Sequence, residues 1–333
     1  MRPTSGDDKR EPAGGVGLIA AAAVLWGTVA PAQLLADTSV DPVTLGACRM
    51  LLGGVALGLF TVRVAGLRTL LLPGVRGWMP VSVAVTASFQ ACFLVAVDRC
   101  GAALATAAAF GTVPVVAGLS ARRLGGDRLG ARWAGATACA VVGLALLLLP
   151  GAGARVDAAG VALGCVAGAS FGVYIALTRR IAVLGADPSA AAPVSVVCAG
   201  LLVSPWLAVR PDGLARPESL LLVGYLGLAT TALGYLLFTK GVARVSGATA
   251  GTLSLIEPLV AASLGVVLLG ERPGLLAAAG AALLLGGLVV TSMPSRGRGE
   301  AERRKEPRPR DDGGSRHAVQ DRRVVTGRRS EGG

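Results

Sequence analysis

A helix rises 1.5 Å per residue, so about 20 consecutive apolar residues are enough to cross a hydrocarbon core about 30 Å thick. This chain holds ten runs of that kind, at 14–35, 43–62, 77–97, 101–121, 131–150, 158–178, 189–209, 218–239, 245–269 and 273–293. The connections between them are short and carry turn signals such as Asp41-Pro42, Asp187-Pro188 and Pro211-Asp212-Gly213. Inside a bilayer each backbone N–H and C=O needs a partner within the protein, and helices supply one in every turn. The chain therefore reads as an all-α polytopic membrane protein with ten transmembrane helices. Composition agrees: only 16% of residues are charged, against about a quarter in soluble domains. Its 48 glycines lie largely inside apolar runs, where membrane helices use them for close contact. Ala30-Pro31-Ala32 resembles a signal-peptide cleavage site, but the run before it is too long for one. The first segment also has a counterpart deep in the chain, so it is expected to be retained.

That counterpart belongs to an internal duplication. Gly15–Gly27 (GVGLIAAAAVLWG) aligns with Gly160–Gly172 (GVALGCVAGASFG) at a shift of 145, and Asp41-Pro42 with Asp187-Pro188 at 146. At a shift of 144, Thr86 meets Thr230, Pro114 meets Pro258, and Gly126-Asp127-Arg128 meets Gly270-Glu271-Arg272. Matches of Ala and Leu mean little in such a sequence; the ordered Pro, Asp-Pro and Gly-acid-Arg landmarks mean more. The expected organisation is a tail at 1–13, one five-helix repeat at 14–150, a second at 158–293, and a charged, disordered tail at 294–333. Five is odd, so the second repeat enters the membrane from the opposite side. Basic residues follow this inversion. With the N-terminus inside, eleven basic residues of the body fall on inner connections and five on outer ones, and 12 more lie in the C-terminal tail. Both termini are thus expected in the cytoplasm, with residues 36–42 outside.

Ten helices in two inverted halves, with Leu25-Trp26-Gly27 in the first, Arg49 early in the second, Glu257-Pro258 in the ninth and the turn Leu269-Gly270-Glu271-Arg272, resemble the drug/metabolite transporter superfamily, EamA type. The resemblance covers about residues 14–293. It implies a secondary transporter in the bacterial inner membrane that exports small metabolites, often amino acids or related compounds. It does not imply which one.

Arg49 and Glu257 are the two charges well inside apolar segments. Each costs about 2.5–3.5 kcal/mol near a helix centre, which calls for a partner, a water-filled cavity or a function. Their repeat equivalents are near Ser195 and at Val113, so neither charge is a requirement of the repeated architecture. Each is read either as a buried tie or as a substrate-binding group. Burial disfavours the charged form of a carboxyl group, which makes Glu257 the candidate for coupling transport to protons. Pro114 and Pro258 are expected to interrupt corresponding helices and to free the carbonyls of Phe110 and Ser254, pointing to a midplane site. Gly160, Gly164, Gly168 and Gly172 form a bare stripe at a spacing of four, read as a helix contact or as room for substrate. Trp26, Gln90 and Tyr235 are the preferred cavity residues beside the two charges, with Thr28, Thr106, Tyr174, Thr231 and Thr252 as further candidates.

Other function classes find no support. The one histidine, His317, lies in the tail, so neither an HExxH zinc site nor a Ser-His-Asp triad can form in the membrane. No P-loop is present, hence no ATP drive within this chain. No cofactor is expected. The six cysteines form no CxxC pair and read as small buried hydrophobes. The net charge of +12 resides partly in a tail without interleaved aromatics, so it indicates weak attraction to anionic headgroups rather than nucleic-acid binding. The expected partners are a small-molecule substrate, the lipid bilayer and protons, with oligomeric state left open. A non-transporting membrane component, such as a lipid-handling or assembly factor, is the alternative; an intramembrane enzyme stands further off.

Overall fold

The computed structural model describes residues 11–126, 129–148, 157–270 and 272–293. The turn residues Asp127, Arg128 and Glu271, and the tail at 294–333, lie outside the described residues, as does 1–10. The described chain is helical, and ten helices are long and apolar enough to cross a membrane: α1 (Gly14–Ala36), α2 (Pro42–Thr61), α3 (Trp78–Cys100), α4 (Ala102–Gly125), α5 (Ala131–Leu148), α6 (Ala158–Val183), α7 (Pro188–Val209), α8 (Pro217–Val242), α9 (Gly247–Leu268) and α10 (Leu275–Ser292). They form two inverted five-helix repeats, α1–α5 and α6–α10.

The duplication is visible in how these helices begin and end. Asp41 and Asp187 cap α2 and α7: each has non-helical backbone, a proline follows it, and its carboxylate accepts from the first-turn N–H groups of Val43 and Thr44, or of Ser189. After the fourth helix of each repeat, Gly126 and Gly270 adopt left-handed backbone at φ 70° and 69°. Their N–H groups close on the carbonyls five residues back, Ala121 and Gly265. A side chain would be strained at both, which is why both repeats keep glycine there.

Contacts between the repeats rely on missing side chains. Along α6, a Cβ at Gly160 would sit 2.9 Å from the Cys100 Cβ, one at Gly164 2.9 Å from the Ala108 Cβ, and one at Gly172 2.8 Å from the Ala117 nitrogen; one at Gly168 would strike the Ala109 carbonyl. The stripe therefore lies directly on α4 and the end of α3. Of its two readings, close packing is the one the geometry has room for. Gly143 on α5 and Gly280 and Gly287 on α10 do the same for the α5–α10 pair.

Three features depart from plain helices. The first span pauses at Thr28, whose hydroxyl turns back to the Leu25 carbonyl at 2.6 Å. In α8, residues Leu226–Leu233 are wound as a π-helix, and the Thr231 hydroxyl donates to the Leu226 carbonyl five residues back. The ninth span breaks at Ser254–Leu255 into Gly247–Leu253 and Ile256–Leu269. Here two expectations need correction. Pro114 sits inside the unbroken helix α4, not at a break. The Ser254 carbonyl is not free: it accepts the Glu257 N–H at 3.1 Å. Pro258 falls in the first turn of the restarted helix, where a missing N–H costs little. The cysteines are not buried either. Cys139 and Cys165 are exposed and the other four are half-exposed, all within or at the end of membrane spans.

Candidate functional site

The Leu25-Trp26-Gly27 motif places two neighbours at once. Trp26, almost fully buried, donates its indole N–H to the Thr230 carbonyl in the π-wound part of α8 at 2.8 Å. Gly234 lets the ring approach, since a Cβ there would lie 2.6 Å from Nε1. A Cβ at Gly27 would lie 2.8 Å from the Glu257 carbonyl oxygen, so this glycine lets α1 pass directly over the restart of α9.

Around Trp26 stands an aromatic wall. Its ring centroid lies 5.9 Å from Phe171, 5.6 Å from Tyr235 and 5.0 Å from Phe238. Phe171 continues it to Tyr174 and Phe89, and Phe89 stacks on Phe93 at 5.7 Å. Phe93 meets Phe110 edge-on. Eight of the chain's 13 aromatic residues (6 Phe, 4 Trp, 3 Tyr) thus meet in one cluster drawn from α1, α3, α4, α6 and α8. The five phenylalanines were missed by sequence reasoning. The available signal was their position inside spans of a chain with only 4% aromatic residues.

The polar groups lie beside this wall. Arg49 on α2 donates to the Gln90 Oε1 on α3 at 2.8 Å, and Gly46, one turn before it, leaves the space that the Gln90 amide fills. Arg49, Tyr235 and Glu257 are near enough to interact electrostatically. Each keeps some accessible surface despite lying within a span. Arg49 and Glu257 nevertheless form no ion pair within 4.0 Å; the salt bridge among the described residues is Arg99–Asp157 at 2.8 Å, between the end of α3 and the start of α6. There the guanidinium hydrogen-bonded to Asp157 holds its carboxyl below the ordinary carboxylate range. Glu257 stands in the first turn of the helix Ile256–Leu269, where the positive end of the helix dipole favours an anion by about 0.3–1 kcal/mol. Among the described residues, the Tyr174 hydroxyl is buried without a hydrogen-bond partner.

Three other expected lining residues have partners elsewhere. Thr231 is buried against its own helix, and the Thr252 hydroxyl meets that of Thr137 on α5 at 3.0 Å. Thr28 pairs with the Tyr225 hydroxyl at 2.6 Å. Thr106 is half-buried near the start of α4, one turn before Phe110.

On one side of this cluster the two repeats are in close contact. On the face carrying residues 126 and 243–246, the segment Gly247–Leu253 packs on α4, with Gly251 against Ala117 and Pro114. Trp133 locks this contact from α5: its ring covers Gly118, and its N–H points to the Ala248 carbonyl at 3.3 Å. Past the break, Ile256–Leu269 makes no comparable packing with α4, so the two spans separate toward the face carrying residues 101 and 270.

Comparison with known proteins fits this architecture. The model of the EamA-like transporter family matches the chain twice, over residues 13–149 and 158–293. The chain is 35% identical over 286 residues to the uncharacterized transporter YwfM of Bacillus subtilis, covering 84% of this chain and 94% of that one. It is 29% identical over 274 residues to the uncharacterized protein PA1977 of Pseudomonas aeruginosa, covering 80% and 90%. A solved structure described only as a crystal structure of a protein superposes with a TM-score of 0.71 at 22% identity, over 87% of this chain and 98% of that one.

Proposed function

Because this chain belongs to the EamA-like transporter family, we propose that the aromatic wall and the polar groups beside it form the site through which it carries a small zwitterionic metabolite, an amino acid or a close relative, by secondary transport. The observation that supports this most is the separation of Arg49 and Glu257. Opposite charges near enough to interact but forming no ion pair suit an occupant that completes both pairs. A carboxylate suits the planar fork of Arg49, which Gln90 holds in place. An ammonium suits Glu257. The aromatic wall accepts an apolar side chain.

Glu257 also supplies the coupling. One carboxylate can hold an ammonium or a proton but not both, so proton entry from outside expels the substrate and drives exchange. The membrane is the cell (inner) membrane, both termini are cytoplasmic, and the direction is export. In this orientation the contact of Gly251 with Pro114 and Ala117 is the inner gate.

The test is counterflow in liposomes containing the purified protein, with labelled zwitterionic amino acids of apolar side chain. Analogues lacking the ammonium or the carboxylate are expected to compete on the order of 10- to 100-fold more weakly, from the loss of one charge-assisted bond worth about 1.5–3 kcal/mol. Arg49→Lys is expected to lose most transport with near-normal folding. Equal competition by either analogue would end the zwitterion reading. For orientation, a cysteine at Ser39 in a cysteine-free background should react with an impermeant thiol reagent in intact cells, and one at Ala65 only after lysis. The opposite pattern reverses the topology.

A further inference from the structure

Away from the proposed transport site, α2 and α7 flank an open apolar groove of about 460 Å³ on the outer wall of the helix bundle. Its floor and sides are Gly54 and Gly58 on α2, Val62 just past its end, and Pro193, Val197 and Cys198 on α7. Two of these glycines differ in role. A Cβ at Gly54 would lie 2.7 Å from Val197, so Gly54 is a helix contact. A Cβ at Gly58 meets nothing closer than Pro193 at 3.6 Å, so the space above it is open. The neighbouring Leu59 and Phe60 are more than four-fifths exposed, which places the groove against lipid tails.

The end of this groove is charged. Val62 is followed by Arg63, which is exposed, and Arg68 lies exposed on the next short helix. A second, small cleft shares Pro193 with the groove and is lined by Thr61 and Lys240, also exposed. Among the described residues, Arg63, Arg68 and Lys240 have no hydrogen bond or ion pair of their side chains. Asp187, a carboxylate on this side, is occupied by the Ser189 N–H at the cap of α7. An apolar slot inside the bilayer thus ends at unpaired cations at its surface. We propose that this is a binding site for one anionic phospholipid of the adjacent leaflet, its acyl chain in the α2–α7 groove and its phosphate at Arg63 and Lys240.

The site is separate from the proposed transport site, so the test needs no transport. Full-length protein in detergent is incubated with phosphatidylglycerol or with phosphatidylcholine of the same chain length, and retained lipid is read by native mass spectrometry. Phosphatidylglycerol is expected to be retained preferentially. Arg63→Gln combined with Lys240→Gln should lower its retention on the order of 10-fold, as two interfacial charges are lost. Gly58→Leu should lower retention of both lipids by filling the groove, and the open space there predicts an unchanged melting temperature. Equal retention of the two lipids, or retention unaffected by these variants, overturns the site. A dimer that Gly58→Leu dissociates, with lipid retention unchanged, overturns it in favour of a second copy of the chain.

Discussion

Glu257→Gln is expected to abolish accumulation driven by a pH gradient while leaving the protein folded. Glutamine keeps the size and most hydrogen bonds of glutamate but cannot take up a proton, so the exchange separates titration from packing. Glu257 lies in the first turn of a helix that starts in the middle of the span, and among the described residues its carboxyl group has no salt-bridge partner within 4.0 Å. Removing its charge therefore breaks no ion pair of the resting protein. In liposomes the wild type should concentrate substrate against its gradient when a pH difference is imposed. The variant should only equilibrate it, at saturating substrate, and with little dependence on pH. Undiminished pH-driven accumulation by the variant would remove Glu257 from coupling.

Gly168→Val is expected to remove most of the folded protein. Any side chain at this position enters the backbone of Ala109 on α4, and backbone cannot yield as a flexible side-chain tip does. Overpacking typically costs about 1–3 kcal/mol, occasionally more, and a collision with main chain belongs at the upper end. Because membrane helices associate mainly through such fitted contacts, the α4–α6 pair has little to replace it. Gly135→Val is the control: Gly135 lies exposed on α5, with nothing within 4 Å of the point a Cβ would occupy. Size-exclusion chromatography of detergent extracts should show a sharp peak for the control and aggregate for Gly168→Val. A sharp, full-height peak for Gly168→Val would show that the stripe is not a rigid contact.

The parts of this molecule legible in its sequence are those with a strict periodic or local cause. The ten spans follow from the length of apolar runs, and the twin caps Asp41/Asp187 and Gly126/Gly270 from turn chemistry within a few residues. Arg49 and Glu257 stand out because a charge is costly in hydrocarbon. The rest depends on partners far apart in the chain. That Gln90 anchors Arg49 rests on a gap left by Gly46, and that Trp26 reaches the Thr230 carbonyl rests on π winding in another repeat. Each phenylalanine alone looks like ordinary packing; only assembly of five spans makes them a wall. Pro114 and Pro258 occupy equivalent positions with different outcomes. The helix before Pro258 has already ended, with the Ser254 hydroxyl turned to the Gly251 carbonyl, and no such stop precedes Pro114.

The π segment of α8 carries a consequence for aim rather than for stability. A π turn accommodates surplus chain within a helix whose ordinary step is about 100° per residue. Everything beyond Leu233 is therefore indexed by that surplus, including Tyr235 and Phe238, two of the rings that face Trp26. Passing the surplus one position along the helix re-points a side chain without tilting the rod that carries it. The equivalent stretch of α3, residues 82–89, is wound as ordinary α-helix and has no such adjustment. The two halves of this duplicated protein are thus unequal in aim: where one keeps the ordinary helical step, the other stores a surplus that sets where its rings point.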